Sequence, residues 1–324
     1  MASSAIDPGD PPGDSGGAAP QEDLIDLLEQ GRRQFLALVD PIRPELHRYC
    51  ARMTGSVADG EDIVQETLAR ACYELSQMRA LPPLRPWLFR IAHNRAIDHW
   101  RHEAYRANEP LDAANDVAED AAHEPDAVLA RHQAVRAAIS CFLELAPAQR
   151  GCVILKDVLD HSIEEIGVEL GLSVAAVKAA LHRGRAALQK LTAAPPPARD
   201  ASPALQHYAN LFNAHDWDGV RAMLADDVRL DLVSRRKAAG RREVEAYFTN
   251  YERATDWHLS AAWVDGNEVL AVRPDAATMP PRYFVELSWR DGRVAAIRDF
   301  RYVAYIAQDS SFEFPPPNQL TRSP

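Results

Sequence analysis

Residues 59 to 105 contain two consecutive amphipathic helical patterns, and they constrain the fold of this chain more than any other stretch. In the first pattern apolar residues recur three and four positions apart, as on one face of an α-helix. The spacing breaks around 79–85, and Pro86 suits the first turn of a second helix, where no N–H is needed. The second pattern buries Leu88, Ile91 and Ala96. Two such helices in succession predict an all-α domain.

Each of these helices also carries a polar face. On the first helix that face is acidic and polar, and it consists of Asp62, Gln65 and Glu66. On the second helix it is largely basic, and it consists of Arg90, Asn94, Arg95, Asp98 and Arg101. Most charged helix faces only contact solvent, so the periodicity by itself leaves the function open.

The strings DGEDIVQET and RPWLFRIAHNRAIDHWR resemble region 2 of bacterial sigma factors of the extracytoplasmic-function class. The resemblance implies that Asp62, Gln65 and Glu66 dock on the coiled coil of the RNA polymerase β′ subunit. It also implies a set of residues that open and read the minus-ten promoter element, namely Arg79, Arg85, Arg90, Asn94, Arg95, Asp98 and Arg101. For Asp98, an ion pair with Arg95 or Arg101 along the helix is an equally good explanation.

Another pair of helical patterns, at 162–191, predicts a helix-turn-helix. Ser162 and Glu165 have the spacing of a capping box, Gly171 suits the left-handed residue after a helix, and Ser173 suits the cap of the next helix. No acidic residue occurs between Leu170 and Arg199. A helix, a glycine-containing turn and a capped basic helix are typical of DNA-binding motifs whose second helix enters the major groove.

The string LAPAQRGCVILKDVLDHSIEEIGVELGLSVAAVKAALHRGRAAL resembles region 4 of the same sigma class. The resemblance implies that the minus-thirty-five element is read by Ser173, Ala175, Ala176, Lys178, His182, Arg183 and Arg185. Ala179–Ala180 stands where a Ser-Arg pair is usual, so we expect weaker or altered recognition. A lost bidentate base contact removes about 1–3 kcal/mol of discrimination.

Composition limits the class of protein. The 324 residues are enough for two or three domains, and the net charge of −11 argues against indiscriminate coating of nucleic acid. The four cysteines are far apart and lack metal-ligand spacing, so we expect buried reduced thiols and no metal or cofactor. No apolar run of membrane-spanning length and no signal sequence occurs, which predicts a cytoplasmic protein without a membrane partner.

The composition shifts predict seven segments. These are a disordered tail at 1–23, a helical domain at 24–105, an acidic linker at 106–128, a helix-turn-helix domain at 129–192, a Pro-rich linker at 193–202, an α+β domain at 203–310 and a loose tail at 311–324. The acidic linker is interpreted as a spacer, with mimicry of nucleic acid as the alternative.

The last domain is predicted to begin with helices and a strand and to end in a curled antiparallel sheet, with Asp-Gly hairpin turns at Asp265–Gly266 and Asp291–Gly292. The fold class is therefore multidomain, with two all-α domains and an α+β cone. The segments YANLFNAHDWDGVRAMLADDVRLD and DGRVAAIRDFRYV resemble the SnoaL-like, nuclear-transport-factor-type fold. Acid–base side chains that could line its pocket are His215, Asp216, Asp231, Tyr247, His258 and Asp299.

The sigma resemblance implies promoter-specific transcription initiation, with the β′ and β subunits of core RNA polymerase and promoter DNA as partners. The C-terminal domain is expected to regulate rather than catalyse, and an anti-sigma factor or a small-molecule ligand of that domain stays open. The DGGGK-type motif usual in sigma factors with this extension is missing, since Ser234–Gly240 reads SRRKAAG. The alternatives are a SnoaL-type isomerase or cyclase fused to DNA-binding modules, and a plain helix-turn-helix repressor.

Overall fold

The computed structural model describes residues 19–106, 134, 138–191, 199–252, 256–276 and 278–315. The chain divides into two units, 1–41 and 42–324. The first unit contains helix α1 (Ala19–Val39). The disordered tail predicted at 1–23 is therefore wrong for 19–23, whose Ala, Gln and Glu residues favour a helix; residues 1–18 lie outside the described part. No helix of the described chain is long and apolar enough to cross a membrane.

Three helices form the first helical domain: α2 (Arg43–Thr54), α3 (Val57–Leu75) and α4 (Leu84–Arg106). Gly55 ends α2 with a positive φ of 78°, and Ser56 caps α3 by accepting the N–H of Asp59 at 3.2 Å. A Cβ added to Gly60 would lie 2.6 Å from Cα of Ala51, so α2 and α3 cross at close range. The predicted helix pair is confirmed.

The second helical domain begins with a 3₁₀ helix (Ile139–Glu144), followed by α5 (Pro147–Val153) and a π-helical turn (Ile154–Val158). Helices α6 (Ile163–Leu170) and α7 (Val174–Lys190) complete it. The predicted capping box of Ser162 and Glu165 is present, Gly171 has a φ of 69°, and Ser173 caps α7. The helix-turn-helix prediction is confirmed.

The C-terminal domain, residues 203–315, contains a six-stranded sheet in the order β2-β1-β6-β5-β4-β3. Its elements are α8 (Pro203–Asn213), α9 (Trp217–Ala222), β1 (Leu224–Leu232), β2 (Arg236–Ala239), α10 (Arg241–Glu252), β3 (His258–Val264), β4 (Asn267–Arg273), β5 (Tyr283–Arg290), β6 (Arg293–Asp299), a 3₁₀ turn (Arg301–Val303) and α11 (Ile306–Asp309). Both predicted Asp-Gly turns are confirmed, because each of their central residues has a positive φ.

The prediction of a wholly antiparallel sheet is wrong at one pair of strands. β1 pairs with β6 in parallel, whereas the other neighbours are antiparallel. The pairing arises because β6 returns to the free side of β1 after α10 and the β3–β5 meander. Strand β2, which was not predicted, covers the other side of β1.

Strand β4 is apolar on both faces of the sheet. Leu270 and Val272 belong to the core that the sheet shares with α8–α10, while Val269 and Ala271 belong to a second core on the opposite face. That outer core includes Ala51, Val57 and Ala58 of the first helical domain. A strand without alternation is expected where both faces are covered. The C-terminal sheet is thus enclosed between its own helices and α2–α3.

The chain continues along this sheet beyond α11. Trp263 and Glu313 exchange two backbone hydrogen bonds of 2.8 and 3.0 Å, and Phe312 and Phe314 pack against the outer core. The loose tail predicted at 311–324 is therefore wrong for 311–315, because two aromatic side chains find apolar cover there. Residues 316–324 lie outside the described part, as do 107–128 of the acidic linker predicted at 106–128 and 193–198 of the Pro-rich linker predicted at 193–202.

The cysteines are free, but only some are buried as predicted. Cys50 and Cys152 are buried, Cys141 is half-buried, and Cys72 is exposed. The prediction of burial is wrong for Cys72. The buried face of α3 carries Ile63, Leu68 and Ala71, and Cys72 lies outside that face.

The close helix crossing generates a stability prediction. We expect Gly60→Ala to lower the free energy of unfolding by about 1–3 kcal/mol, since its methyl group would overlap the backbone of Ala51. Urea unfolding followed by circular dichroism measures this. Gly31→Ala is the matched control, because no described atom lies within 4 Å of a Cβ there, and it should not lower stability. Equal effects of the two substitutions would contradict the prediction.

Candidate functional site

The predicted docking residues lie together on one face of α3, which we call the acidic face (Asp62, Gln65, Glu66). Asp62 and Glu66 are exposed and Gln65 is half-buried. Asp62 contacts the C-terminal domain as well as solvent, because its Oδ1 accepts a hydrogen bond of 2.7 Å from Nη2 of Arg298 on β6. The side chain of Asp62 remains 50% exposed. One end of the acidic face is therefore occupied by the C-terminal domain.

Arg298 is shared between two carboxylates. Its Nη1 lies 3.4 Å from Oε2 of Glu286 on the neighbouring strand, while its Nη2 holds Asp62. Burial raises the pKa of Glu286 to about 7, although the positive charge of Arg298 acts to lower that pKa. The guanidinium thus satisfies an acid of its own domain and an acid of α3 together.

Deeper in this contact lies the buried carboxylate of Glu61. It accepts a hydrogen bond of 2.5 Å from Arg43 and one of 2.6 Å from the hydroxyl of Tyr305. The side chain of Glu61 is 0% exposed, so both partners are needed to replace water. Tyr305 directly precedes α11 and is the contribution of the C-terminal domain.

Two further carboxylates of the C-terminal domain contact the first helical domain. Asp309 lies 3.0 Å from Nε of Arg48 and 3.9 Å from Nη1 of Arg52. Asp265, in the β3–β4 turn, accepts the backbone N–H of Val57 at 2.8 Å. Val57 is the first residue of α3, and a carboxylate is favourable at a helix N-terminus because of the helix dipole. Together with Arg298 and Tyr305, these groups surround the outer core.

Sequence reasoning named Asp62 as a docking residue and Asp265 as a turn residue, but it missed this contact and its other residues. Their charges resemble ordinary surface charges when they are read along the chain. The signal that could have revealed the contact is β4, where Val269, Leu270, Ala271 and Val272 form an unbroken apolar run. Such a run indicates a strand covered on both faces.

The predicted minus-ten residues do not form one free surface. Arg79, Asn94 and the exposed ion pair between Asp98 and Arg101, at 3.7 Å, are open, and Arg95 is half-buried. Arg85 pairs with Glu45 on α2, and Nη2 of Arg90 donates to the carbonyl of Val168 on α6 at 3.3 Å. In this conformation Arg85 and Arg90 connect the two helical domains.

His161 is the centre of that connection. Its Nδ1 lies 2.8 Å from Glu169 on α6, its Nε2 lies 3.2 Å from Glu45 on α2, and Arg85 is within 2.9 Å. Burial by itself would lower the pKa of His161, but the hydrogen bonds to Glu169 and Glu45 outweigh it and raise the pKa to about 9. The raised pKa favours the imidazolium form, in which both ring nitrogens face acids from different domains, although the charge of Arg85 opposes it.

Arg150 forms a second connection, and sequence reasoning missed it. Its guanidinium donates to the carbonyl of Met53 in α2 at 2.6 Å, and to the carbonyls of Leu143 and Leu145 at 3.0 and 3.1 Å. The residue is only 1% exposed, and burial lowers its pKa to about 10. These three carbonyls hold the start of the second helical domain against the end of α2.

The predicted minus-thirty-five residues lie along α7. Ser173, Ala175 and Lys178 are exposed at its N-terminal end. Ala176, His182 and Arg183 are half-buried. Arg185 makes a two-pronged pair with the buried carboxylate of Asp157, at 2.9 and 2.6 Å. The N-terminal end of α7 is thus presented to the surroundings, whereas Arg185 is engaged inside its own domain.

The acid–base residues proposed for the C-terminal pocket do not converge. Tyr247 donates to Asp299 at 2.6 Å, and Asp299 also accepts from Tyr251 at 3.0 Å and from the N–H of Arg301 at 2.9 Å. Of the others, His215 stacks on Trp217, Asp216 caps α9, Asp231 pairs with Lys237, and His258 begins β3. Asp299 is 0% exposed, and burial raises its pKa.

Known protein families match three segments of the chain. The models are Sigma-70 region 2 at residues 38–106, Sigma-70, region 4 at residues 136–188, and the SnoaL-like domain at residues 205–297. These segments agree with the two helical domains and the C-terminal domain.

Curated sigma factors are similar to parts of this chain. The ECF RNA polymerase sigma factor SigG of Mycobacterium tuberculosis is 32% identical over 220 residues, which are 59% of this chain and 59% of SigG. The chain therefore spans less than two thirds of that relative. The ECF RNA polymerase sigma factor SigW of Bacillus subtilis is 30% identical over 164 residues, 48% of this chain and 87% of SigW. The crystal structure of the Mycobacterium tuberculosis extracytoplasmic function sigma factor SigJ has a TM-score of 0.34 at 22% identity, covering 83% of this chain and 98% of that one.

The Glu61 contact generates a prediction. Tyr305→Phe removes one of two hydrogen bonds to a buried carboxylate, and we expect a loss of about 1–3 kcal/mol in the free energy of unfolding. Tyr302→Phe is the control, because Tyr302 lies on the same segment and is 52% exposed. Urea titration of both variants measures the difference. A Tyr305→Phe protein as stable as the control would show that Glu61 does not depend on this hydroxyl.

The His161 connection predicts a pH dependence. Because the folded-state pKa is raised to about 9, its contribution to stability is complete below the ordinary histidine pKa of 6.5 and is lost as pH rises through about 9. We therefore expect the free energy of unfolding to contain a component that falls between pH 6.5 and 9. His161→Gln should remove it, while His207→Gln, at an exposed position, should retain it. If the free energy of unfolding falls equally steeply with pH in the two variants between pH 6.5 and 9, the assignment to His161 is refuted.

Proposed function

The chain belongs to the extracytoplasmic-function family of RNA polymerase sigma factors, and from that premise we propose that it directs core RNA polymerase to specific promoters for transcription initiation. The observation that carries the proposal is the capped helix-turn-helix of α6 and α7 on the same chain as the exposed acidic face of α3. The first suits promoter DNA, and the second suits a basic surface of the polymerase.

The acidic face is proposed to dock on the β′ subunit, with the β subunit as the neighbouring partner. Glu66 and Asp62 are four residues apart and are directed to the same side of α3. Complementary charge at such a surface increases the association rate and fixes the orientation of the partners. The proposed place of action is the cytoplasm, where polymerase and promoters are found.

The residues predicted to contact DNA differ in whether they are exposed or already bonded within the chain. Arg79, Asn94 and Arg101 are open in this conformation and suit the minus-ten element. At the minus-thirty-five element, Ser173 and Lys178 suit the first contacts of α7, since both are exposed at its N-terminal end. Arg85, Arg90 and Arg185 require their present partners to be exchanged for phosphate or bases.

Promoter binding then requires the two helical domains to separate. Elements about 25 base pairs apart are separated by roughly 85 Å of duplex at about 3.4 Å per base pair. In this structure Arg85 of the first helical domain instead lies 2.9 Å from His161 of the second. We infer that the described arrangement is a closed state, and that polymerase binding favours an open one.

The C-terminal domain is proposed to regulate this step by competing for the acidic face. Arg298 holds Asp62, so a polymerase that needs Asp62 has to displace that guanidinium. Tyr305 and Asp309 hold the neighbouring parts of α2 and α3 at the same time. The C-terminal domain would thus reduce polymerase affinity without covering the whole acidic face.

Two substitutions with opposite expected effects test docking and regulation. Glu66→Lys should weaken binding to core polymerase about 10-fold or more, because it reverses an exposed charge at the docking face. Arg298→Gln should strengthen binding several-fold, because it releases Asp62 from the C-terminal domain. Surface plasmon resonance with immobilised core polymerase measures both affinities, and promoter run-off assays measure the transcripts.

Matched controls separate these effects from general charge effects. Glu74→Lys reverses a carboxylate on the same helix that pairs with Arg70, and it should leave polymerase affinity unchanged. Arg290→Gln removes an exposed arginine of the same sheet that pairs with Asp227. If Glu66→Lys and Glu74→Lys have the same affinity for core polymerase, the docking assignment is wrong. If Arg298→Gln and Arg290→Gln have the same affinity, the C-terminal domain does not compete for Asp62.

Catalysis by the C-terminal domain is not part of the proposal. A general base has to reach the proton that it removes. Asp299 is fully buried and already accepts three hydrogen bonds, from Tyr247, Tyr251 and the backbone of Arg301. These observations favour a regulatory role over isomerase or cyclase chemistry.

A further inference from the structure

The C-terminal domain contains a cavity of about 520 Å³ beside α11. This volume lies within the range of about 300–1,000 Å³ that is usual for small-molecule sites. Three aromatic side chains line it, those of Tyr251, Trp257 and Tyr283. Planar walls of this kind favour a planar guest, which can stack on one ring and meet the edges of others.

Two arginines also line the cavity, and they differ in their partners. Arg282 donates from Nη1 to Asp256 at 2.8 Å, so its charge is compensated at the rim. Arg301 forms no ion pair with any residue in the described part of the chain, and its guanidinium lies 5.8 Å from the centre of the Tyr251 ring. Asp299 acts on Arg301 only through its electrostatic field and a hydrogen bond to the backbone N–H, so the guanidinium keeps its donors for a ligand. A cation of this kind beside aromatic rings is suited to an anion carried on a planar ring.

The cavity shares a wall with the contact to the first helical domain. Arg301, Ala304 and Ala307 line the cavity. Tyr305 and Asp309, on the same short segment, bond to Glu61 and Arg48. The N–H of Arg301 is fixed by Asp299 at the beginning of this segment. One side of residues 301–309 therefore faces the cavity while the other holds α2 and α3.

We propose that this cavity binds a small aromatic carboxylate, with the carboxylate on Arg301 and the ring among Tyr251, Trp257 and Tyr283. The binding site is complete only while residues 301–309 are in place. A ligand that contacts this wall binds better to the closed state than to a state in which the wall has moved, and so it stabilises the closed state. Only the consequence for polymerase rests on the function proposed above.

Binding is tested on the full chain by isothermal titration calorimetry with 2-naphthoate as the probe. 2-Naphthamide, which has the same ring without the charge, should bind at least about 10-fold more weakly, because it cannot form the charge-assisted hydrogen bonds that a carboxylate forms with Arg301. Arg301→Gln should weaken 2-naphthoate binding by a similar factor. Arg235→Gln is the control, since Arg235 lies over Tyr302 and does not line the cavity.

The outcomes of this titration are decisive for the site. Preference for the carboxylate that disappears in Arg301→Gln and survives in Arg235→Gln supports it. Equal binding of the two probes, or no binding of either, overturns it. Thermal unfolding of each variant without a probe shows whether a loss of binding reflects a loss of folding, and Arg301→Lys, which keeps the charge, should recover part of the affinity.

Coupling to the first helical domain is tested by hydrogen exchange of the amides in the first turn of α3, residues 57–60. Saturating 2-naphthoate should slow their exchange several-fold, and Tyr305→Phe should reduce that effect. Unchanged exchange with bound probe overturns the coupling, whatever polymerase does. Slowed exchange without any change in polymerase affinity leaves the coupling in place and contradicts the regulatory function proposed above.

Discussion

The outer face of the C-terminal sheet is apolar, and its burial against α2 and α3 determines how most of the molecule is arranged. Val269, Ala271 and Phe284 would otherwise expose a contiguous apolar surface to water. Ala51, Val57 and Ala58 cover that surface from the first helical domain, and Ile139 reaches it from the second. The C-terminal domain is therefore joined to both helical domains through a common core rather than attached only by its linker.

Charged groups around that core make the contact specific. Glu61, Asp62, Asp265 and Asp309 each have a partner across it. The most deeply buried of them, Glu61, has a second partner in Arg43 of its own domain. A buried carboxylate without partners is strongly destabilising, so these pairs fix the relative position of the domains more than they add to stability. Asp62 lies at the exposed edge of the contact, and under the proposed function polymerase competes with Arg298 for it.

The connection between the two helical domains has a different character. It combines hydrogen bonds and charge, through His161, Arg85 and Arg150, with the apolar packing of Ile139. Such contacts can be exchanged for phosphate contacts at modest cost, because Arg85 and Arg90 are basic residues predicted to face DNA. Opening of the proposed closed state therefore has to exchange these contacts and to withdraw Ile139 from the common core.

The sequence by itself determined the class of the fold and most of its elements, but not strand β2. Capping residues, glycines with positive φ and helical spacing are local signals, and they correctly indicated α3, α4, the helix-turn-helix and the two Asp-Gly hairpins. The sequence also grouped Asp62, Gln65 and Glu66, because i, i+3 and i+4 positions share a helix face. Only the tertiary structure decided that β1 and β6 pair in parallel, that Arg298 holds Asp62, and that Arg85 and Arg185 are engaged internally. These contacts join residues far apart in the chain, and no local periodicity records which distant charge will satisfy a buried one.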